Sequence, residues 1–172
     1  MMTDKKMKYR EALTLAMSEA MEDPKSMILG QGITDFKGMW GTTSGLSNKY
    51  PDRVIETPLS EDAVAGICIG ASLNGMYPIN THIRADFGLL IFNQLINLAS
   101  KYRYMFGGLF EVPLLFRMVI GRSWGQGAQH SQSLQSLLGH IPGLVVLMPS
   151  NPQSVLQSYR HAVKNHRGPV VI

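Results

Sequence analysis

Three stretches of this chain put groups able to move protons where an extended segment hands over to a helix. TPLSE (Thr57 to Glu61) ends in a carboxylate, Thr81 to Phe87 carries His82, Arg84, Asp86 and an aromatic ring, and Gly121 to His130 is glycine-rich and ends in an imidazole. Ligands of an open parallel sheet sit beyond the carboxyl ends of its strands, where such loops converge. Together the three loops offer an acid, an aromatic face and a base, enough to hold a flat heterocycle and shuttle a proton. Glu61 is the most informative of these residues, because it opens a helix otherwise built from small and apolar side chains. Taken alone it reads equally as a dipole partner, which ordinarily contributes about 0.3 to 1 kcal/mol.

Other chemistries fail on spacing. GQGAQH has Gly125 and Gly127 but no third glycine, and no glycine-rich turn follows the first strand as a dinucleotide fold requires. A Walker-type phosphate loop needs Lys and then Ser or Thr after its last glycine, where this chain has Ala128 and Gln129. No group of His, Cys and carboxylates has zinc spacing, and His130 with Ser131 or Ser133 lacks the strained turn of a serine hydrolase.

The elements that must position these groups alternate along the chain, helical then extended. That pattern predicts an α/β fold, an open and mostly parallel sheet with helices on both faces. Apolar spacing places a helix over Tyr9 to Met21 and a short strand over Met27 to Leu29, followed by a long glycine-punctuated loop with at most a helical turn near Leu46. Val54 to Glu56 reads as a strand, and Ser60 stands where it can cap the helix that runs to Gly75. Ala65, Gly66, Gly70 and Ala71 leave that helix smooth, so another backbone can approach it closely. Pro78 to Ile83 is the next strand, and a single long helix is expected from about Gly88 to Met105, ended by Gly107-Gly108. Pro113 to Ile120 is the best central strand. A short helix stopping at Gly139, a strand over Leu144 to Met148, a helix opened by Asn151-Pro152 and a strand over Pro169 to Ile172 complete the order.

At 172 residues the chain is expected to form one domain with a continuous core. Hydrophobic residues make up 45% and charged ones only 16%, which suggests a surface meant for burial against a subunit. The net charge of +4 comes from Lys5, Lys6, Lys8 and Arg10 at one end and Arg160, Lys164 and Arg167 at the other, with no basic stripe between, so nucleic acid is not an expected partner. No apolar run approaches the roughly 20 residues of a membrane span. The lone Cys68 forms no internal disulfide, and no signal-like run follows the basic start, so a cytoplasmic location is expected. Cys68 and the eleven methionines read as packing groups.

TPLSEDAVAGICIGASLNGMYPI, NQLINLASKYRYMFGG and GQGAQHSQSLQSLLGHIPGLVVLMPSNP follow one another in this sequence. In that order they resemble the pyrimidine-binding domain of the beta subunit of 2-oxo acid dehydrogenase E1 components, pyruvate or branched-chain, within the transketolase-like thiamin diphosphate enzymes. The resemblance implies that residues 1–172 form this thiamin diphosphate-binding, pyrimidine-type domain, without the C-terminal transketolase domain of a full beta subunit. It implies that Glu61 bonds N1′ of the cofactor's aminopyrimidine, that Phe87 stacks on that ring, and that Leu59 and Ile83 line it. His130 matches the active-site histidine, which makes Glu61 and His130 the implied catalytic pair.

By the same resemblance the cofactor is shared with an E1 alpha subunit, which also holds the magnesium. No GDG element followed by an Asn-rich stretch occurs here to hold it. A potassium ion on backbone carbonyls would map to Leu114, Ala162, Val163, Asn165 and Arg167. The implied partners are the alpha subunit, a second beta-type subunit and a lipoylated acyltransferase core, and the implied reaction is oxidative decarboxylation of a 2-oxo acid with acyl transfer to lipoyl. The alternatives are a non-catalytic or truncated assembly module and half of a split transketolase or decarboxylase. His82 and Arg84 depart from the family pattern, as does Trp124 in GRSWGQG.

Overall fold

A computed structural model describes residues 7–35, 37–121 and 125–172. Six strands form one sheet in the order β2-β1-β3-β4-β6-β5, and every neighbouring pair is parallel. The strands are β1 (Ser26–Gly30), β2 (Val54–Glu56), β3 (Tyr77–His82), β4 (Leu114–Met118), β5 (Val145–Val146) and β6 (Pro169–Val171). Parallel strands need crossovers, and the helices that supply them cover both faces, which fulfils the expected α/β architecture.

One face carries α1 (Tyr9–Ala20) and α7 (Pro152–Asn165), packed over Ile28, Ile79, Leu115 and Val170. The other carries α4 (Glu61–Leu73), a 3-10 segment (Ala85–Ile91), a π-helical segment (Asn93–Ala99) and α6 (Gln135–Gly139), over Leu29, Leu114, Phe116 and Val171. Successive side chains of a strand point to opposite faces, so Leu114, Leu115 and Phe116 divide between two cores and the strand must be apolar throughout. All five residues of β4 are buried. Two single turns, α2 (Gly38–Gly41) and α3 (Leu46–Lys49), interrupt the loop after β1, and α5 (Tyr102–Met105) follows the π-helical segment. Cys68 is fully buried in the second core.

Two expectations change. The single helix from Gly88 to Met105 is three pieces of different pitch, 3-10, π and α. Ile91, Leu95 and Ala99 are its buried hydrophobic residues, at steps of four, whereas Leu89 is 41% exposed. Apolar spacing identifies a helix's inner face but cannot set its pitch, which packing against α4 decides. The strand expected over Leu144 to Met148 shrinks to Val145–Val146, because it lies at the sheet edge and pairs only with β6. No helix of the described residues is long and apolar enough to cross a membrane.

Candidate functional site

Strand order reverses between β1 and β3: the chain leaves β1 for β2 on one side and returns to β3 on the other. Such a switch point opens a crevice at the carboxyl ends of the strands. Gly30 ends β1 there, and a Cβ on it would overlap the hydroxyl and carbonyl of Thr81 on β3, so only glycine lets the two strand ends close up. Glu61, Thr57, Asn80, Ile83 and Phe87 line the crevice. It encloses only about 10 Å³, roughly one water, so this chain supplies a wall of a site and not a container.

Glu61 reaches the crevice because it is the first residue of α4, directly after the β2 loop. Among the described residues its carboxylate has no hydrogen-bond or ion-pair partner. Phe87 of the crevice lining meets the His130 ring edge to face, with centroids 5.4 Å apart and planes at 81°. Nδ1 of His130 is buried without a hydrogen-bond partner among the described residues. A buried imidazole nitrogen left this way is costly, and a bound ligand or water would satisfy it.

Three groups of the same loops are instead consumed internally. Asp86 is 7% exposed and accepts hydrogen bonds from the Gln132 backbone N–H (3.2 Å) and side-chain amide (2.8 Å), tying the β3 loop to the segment that carries His130. Arg84 donates to Oε1 of Gln126 at 2.5 Å and lies 5.4 Å from the centre of the Trp40 ring, an arrangement that suits a weakly hydrated planar cation. His82 is 5% exposed and hydrogen-bonds Oδ1 of Asn80 at 2.9 Å, and burial pushes its pKa down to about 4, so the ring is neutral at pH 7. His82 thus stands in the crevice wall as a neutral ring bonded to Asn80, and Arg84 is a buried internal brace. Trp124 lies outside the described residues.

Ile83, Phe87 and Glu61 line the crevice together, and His130 adjoins it through the Phe87 ring, but Leu59 does not join them: it is 83% exposed and lines no part of this crevice. Ser60 occupies the N-cap position of α4 as expected, yet its side chain makes no capping hydrogen bond. Its φ of −157° and ψ of 69° depart from the usual β-region cap geometry. Asn151 does cap α7, accepting from the Ser154 N–H at 2.8 Å. Ala162, Val163 and Asn165 occupy the last turn of α7, where carbonyls lack helical partners, and Arg167 follows it. Leu114 opens β4, paired with Pro169 of β6.

Glu56 was not singled out from the sequence. It ends β2 and accepts hydrogen bonds from Gly32 N–H (2.5 Å), Thr34 N–H (3.1 Å) and the Thr34 hydroxyl (2.9 Å), which orders the start of the glycine-rich loop beside the crevice. A carboxylate at a strand end facing a glycine-rich loop was the available signal.

The family model described as transketolase, pyrimidine binding domain, matches residues 5–172. The chain belongs to this transketolase pyrimidine-binding family. Within it, the chain is 41% identical to the acetoin:2,6-dichlorophenolindophenol oxidoreductase subunit beta of Cupriavidus necator, over 82% of this chain and 46% of that protein. It is 39% identical to the human mitochondrial pyruvate dehydrogenase E1 component subunit beta, over 95% of this chain and 46% of that protein. The chain therefore spans about half the length of these curated relatives. In fold it is similar to a solved split gene transketolase, an inactive beta4 tetramer, with a TM-score of 0.77 at 21% identity, covering 97% of this chain and 51% of that one. These matches identify the pyrimidine-binding domain as that of the E1 beta type.

Proposed function

We propose that this pyrimidine-binding domain supplies the proton-handling wall of a thiamin diphosphate site in an E1-type 2-oxo acid dehydrogenase, the remaining wall coming from an alpha-type subunit. The observation that carries the reading is the Glu61 carboxylate, partnerless among the described residues, at the mouth of the β1/β3 crevice opposite Phe87. The residues fit the cofactor: an acceptor for a ring N–H, an aromatic face, and a buried imidazole nitrogen with a free valence. When bound, thiamin diphosphate supplies an acidic thiazolium carbon and a ring that takes up the electron pair released by decarboxylation.

Glu61 would hold a proton on the pyrimidine nitrogen it faces, and this sets which tautomer the ring adopts. Phe87 would orient the ring, and Ile83 would shield it from water. His130 would donate or accept a proton at the reacting carbonyl, its ring held in place by Phe87 and its segment anchored by Asp86. Leu59, exposed here, would join the lining only when the alpha-type subunit covers it. Carbonyls at the end of α7, with Leu114 and Arg167, have the oxygen-donor character that suits a potassium ion. Magnesium would be held by the partner, and a second beta-type subunit and a lipoylated acyltransferase core would complete the assembly.

The test is co-expression with an alpha-type subunit carrying a GDG element. Titration calorimetry with thiamin diphosphate and turnover with pyruvate or branched 2-oxo acids should both collapse in Glu61→Ala. Unchanged affinity and turnover would sink the proposal.

One observation favours a second reading, that of an assembly module. The surface of α4 around Gly70 is open: a Cβ there meets nothing within 4 Å, and Ile67 beside it is 59% exposed. The module reading fails if the chain restores turnover to an alpha-type subunit that lacks its partner.

A further inference from the structure

Arg117 sits on β4 at 4% exposure, and no carboxylate of the described residues pairs with it. Among the described residues its one hydrogen bond goes to the thioether of Met39 at 2.9 Å, a weak acceptor. Tyr9, on α1, and Tyr159, on α7, lie near enough to act on it electrostatically, but Tyr9 already donates to the Pro149 carbonyl at 2.8 Å and the buried Tyr159 hydroxyl has no partner among the described residues. Burial lowers the arginine's pKa from its ordinary value, and those two tyrosines oppose the shift. A guanidinium nonetheless stays protonated inside proteins, so the described residues hold a desolvated cation without an anion among them.

The same guanidinium lines an apolar cleft of about 330 Å³ at the carboxyl ends of β4, β5 and β6. Leu13, Met118, Leu138 and Ile172 form much of its wall, and Gln135 adds one amide. None of these residues lines the Glu61 crevice. We propose that this cleft binds a carboxylate carried on an apolar stem, with Arg117 as its counter-ion. A planar carboxylate matches the guanidinium fork, and the apolar walls take the stem. Phosphate fits less well, because among the described residues no second cation lines the cleft to offset its larger charge. The proposal does not depend on the thiamin reading.

The carboxylate has two possible sources, a free small acid or a Glu or Asp side chain of a polypeptide, and the experiment separates them. The 172-residue chain is titrated with hexanoate and with hexanamide, and in parallel with a short apolar peptide bearing one central glutamate and its glutamine twin. Saturable binding of hexanoate at least about tenfold tighter than of hexanamide supports a free-acid site. The same preference for the glutamate peptide, without hexanoate binding, supports a side-chain carboxylate. Absence of any charge preference in both arms overturns the proposal. Arg117→Met gives an independent reading: it should raise the Tm of the unliganded chain by removing an uncompensated charge, and abolish the carboxylate preference. A lower Tm in Arg117→Met would show that the cation already serves the fold, and would overturn the proposal as well.

Discussion

Glu61 and Asp86 are both acids in the first turn of a helical segment, each just past the end of a strand flanking β1, yet they have opposite fates. Asp86 is buried and takes two hydrogen bonds from Gln132, whereas Glu61 stands at the crevice without a partner among the described residues. The same contrast separates His82, buried and bonded to Asn80, from His130, whose buried Nδ1 has no partner among the described residues. A polar group whose valence is filled by its own fold braces the site. One left unfilled, at the cost of folding with it so, is available to a ligand.

The largest expected effect tests the available side of that contrast. In the complex with an alpha-type subunit, Glu61→Gln should lower turnover by about 10² to 10⁴-fold, the usual contribution of a positioned acid or base. The Tm of the chain should barely move, because no protein partner is lost. A large fall in Tm would place Glu61 with the braces.

His82 should show its structural role through pH. Its folded pKa of about 4 lies below the ordinary 6.5, so between those values the unfolded chain binds more protons than the folded one. Stability should therefore decline as pH falls from about 6.5 toward 4, by roughly 3 kcal/mol in all. Burial and the neighbouring His161 and Arg103 also lower His166, which adds to the slope in the same direction. Denaturant melts of His82→Asn across this range should flatten the slope, and an unaltered slope would remove His82 as its source.

Asp86→Ala leaves the Gln132 amide and N–H without their acceptor and should cost about 1 to 3 kcal/mol. It should also slow turnover through displacement of His130, while His130→Gln slows turnover without that loss of stability. Equal stability losses in the two variants would erase the distinction. Ser60→Ala should matter least. A capping serine ordinarily contributes about 0.5 to 2 kcal/mol, but Ser60 makes no such bond, so a thermal melt should shift by less than the low end of that range.

The sequence made much of this legible. Val54–Glu56 appears at its expected bounds, and the apolar run around Leu114–Met118 and the Asn151-Pro152 start of α7 were readable because burial, capping and proline geometry act locally. The pitch of the Ala85–Ala99 stretch was not, since 3-10, α and π turns can bury nearly the same apolar positions. Nor did residue type reveal that Ser60 occupies a cap position without capping, or that Glu56 orders the loop from Gly32 to Thr34.

The amino-acid sequence by itself determined the alternation of elements, the family and the identity of the residues with chemistry to offer, because each depends on local pattern or ordered motifs. Tertiary structure alone decided which of those residues are available. Glu61 and Asp86 differ little in kind or local setting; what separates them is whether a distant segment, here Gln132 across 46 residues, folds back to fill the carboxylate. That is a matter of long-range closure, which no local pattern encodes.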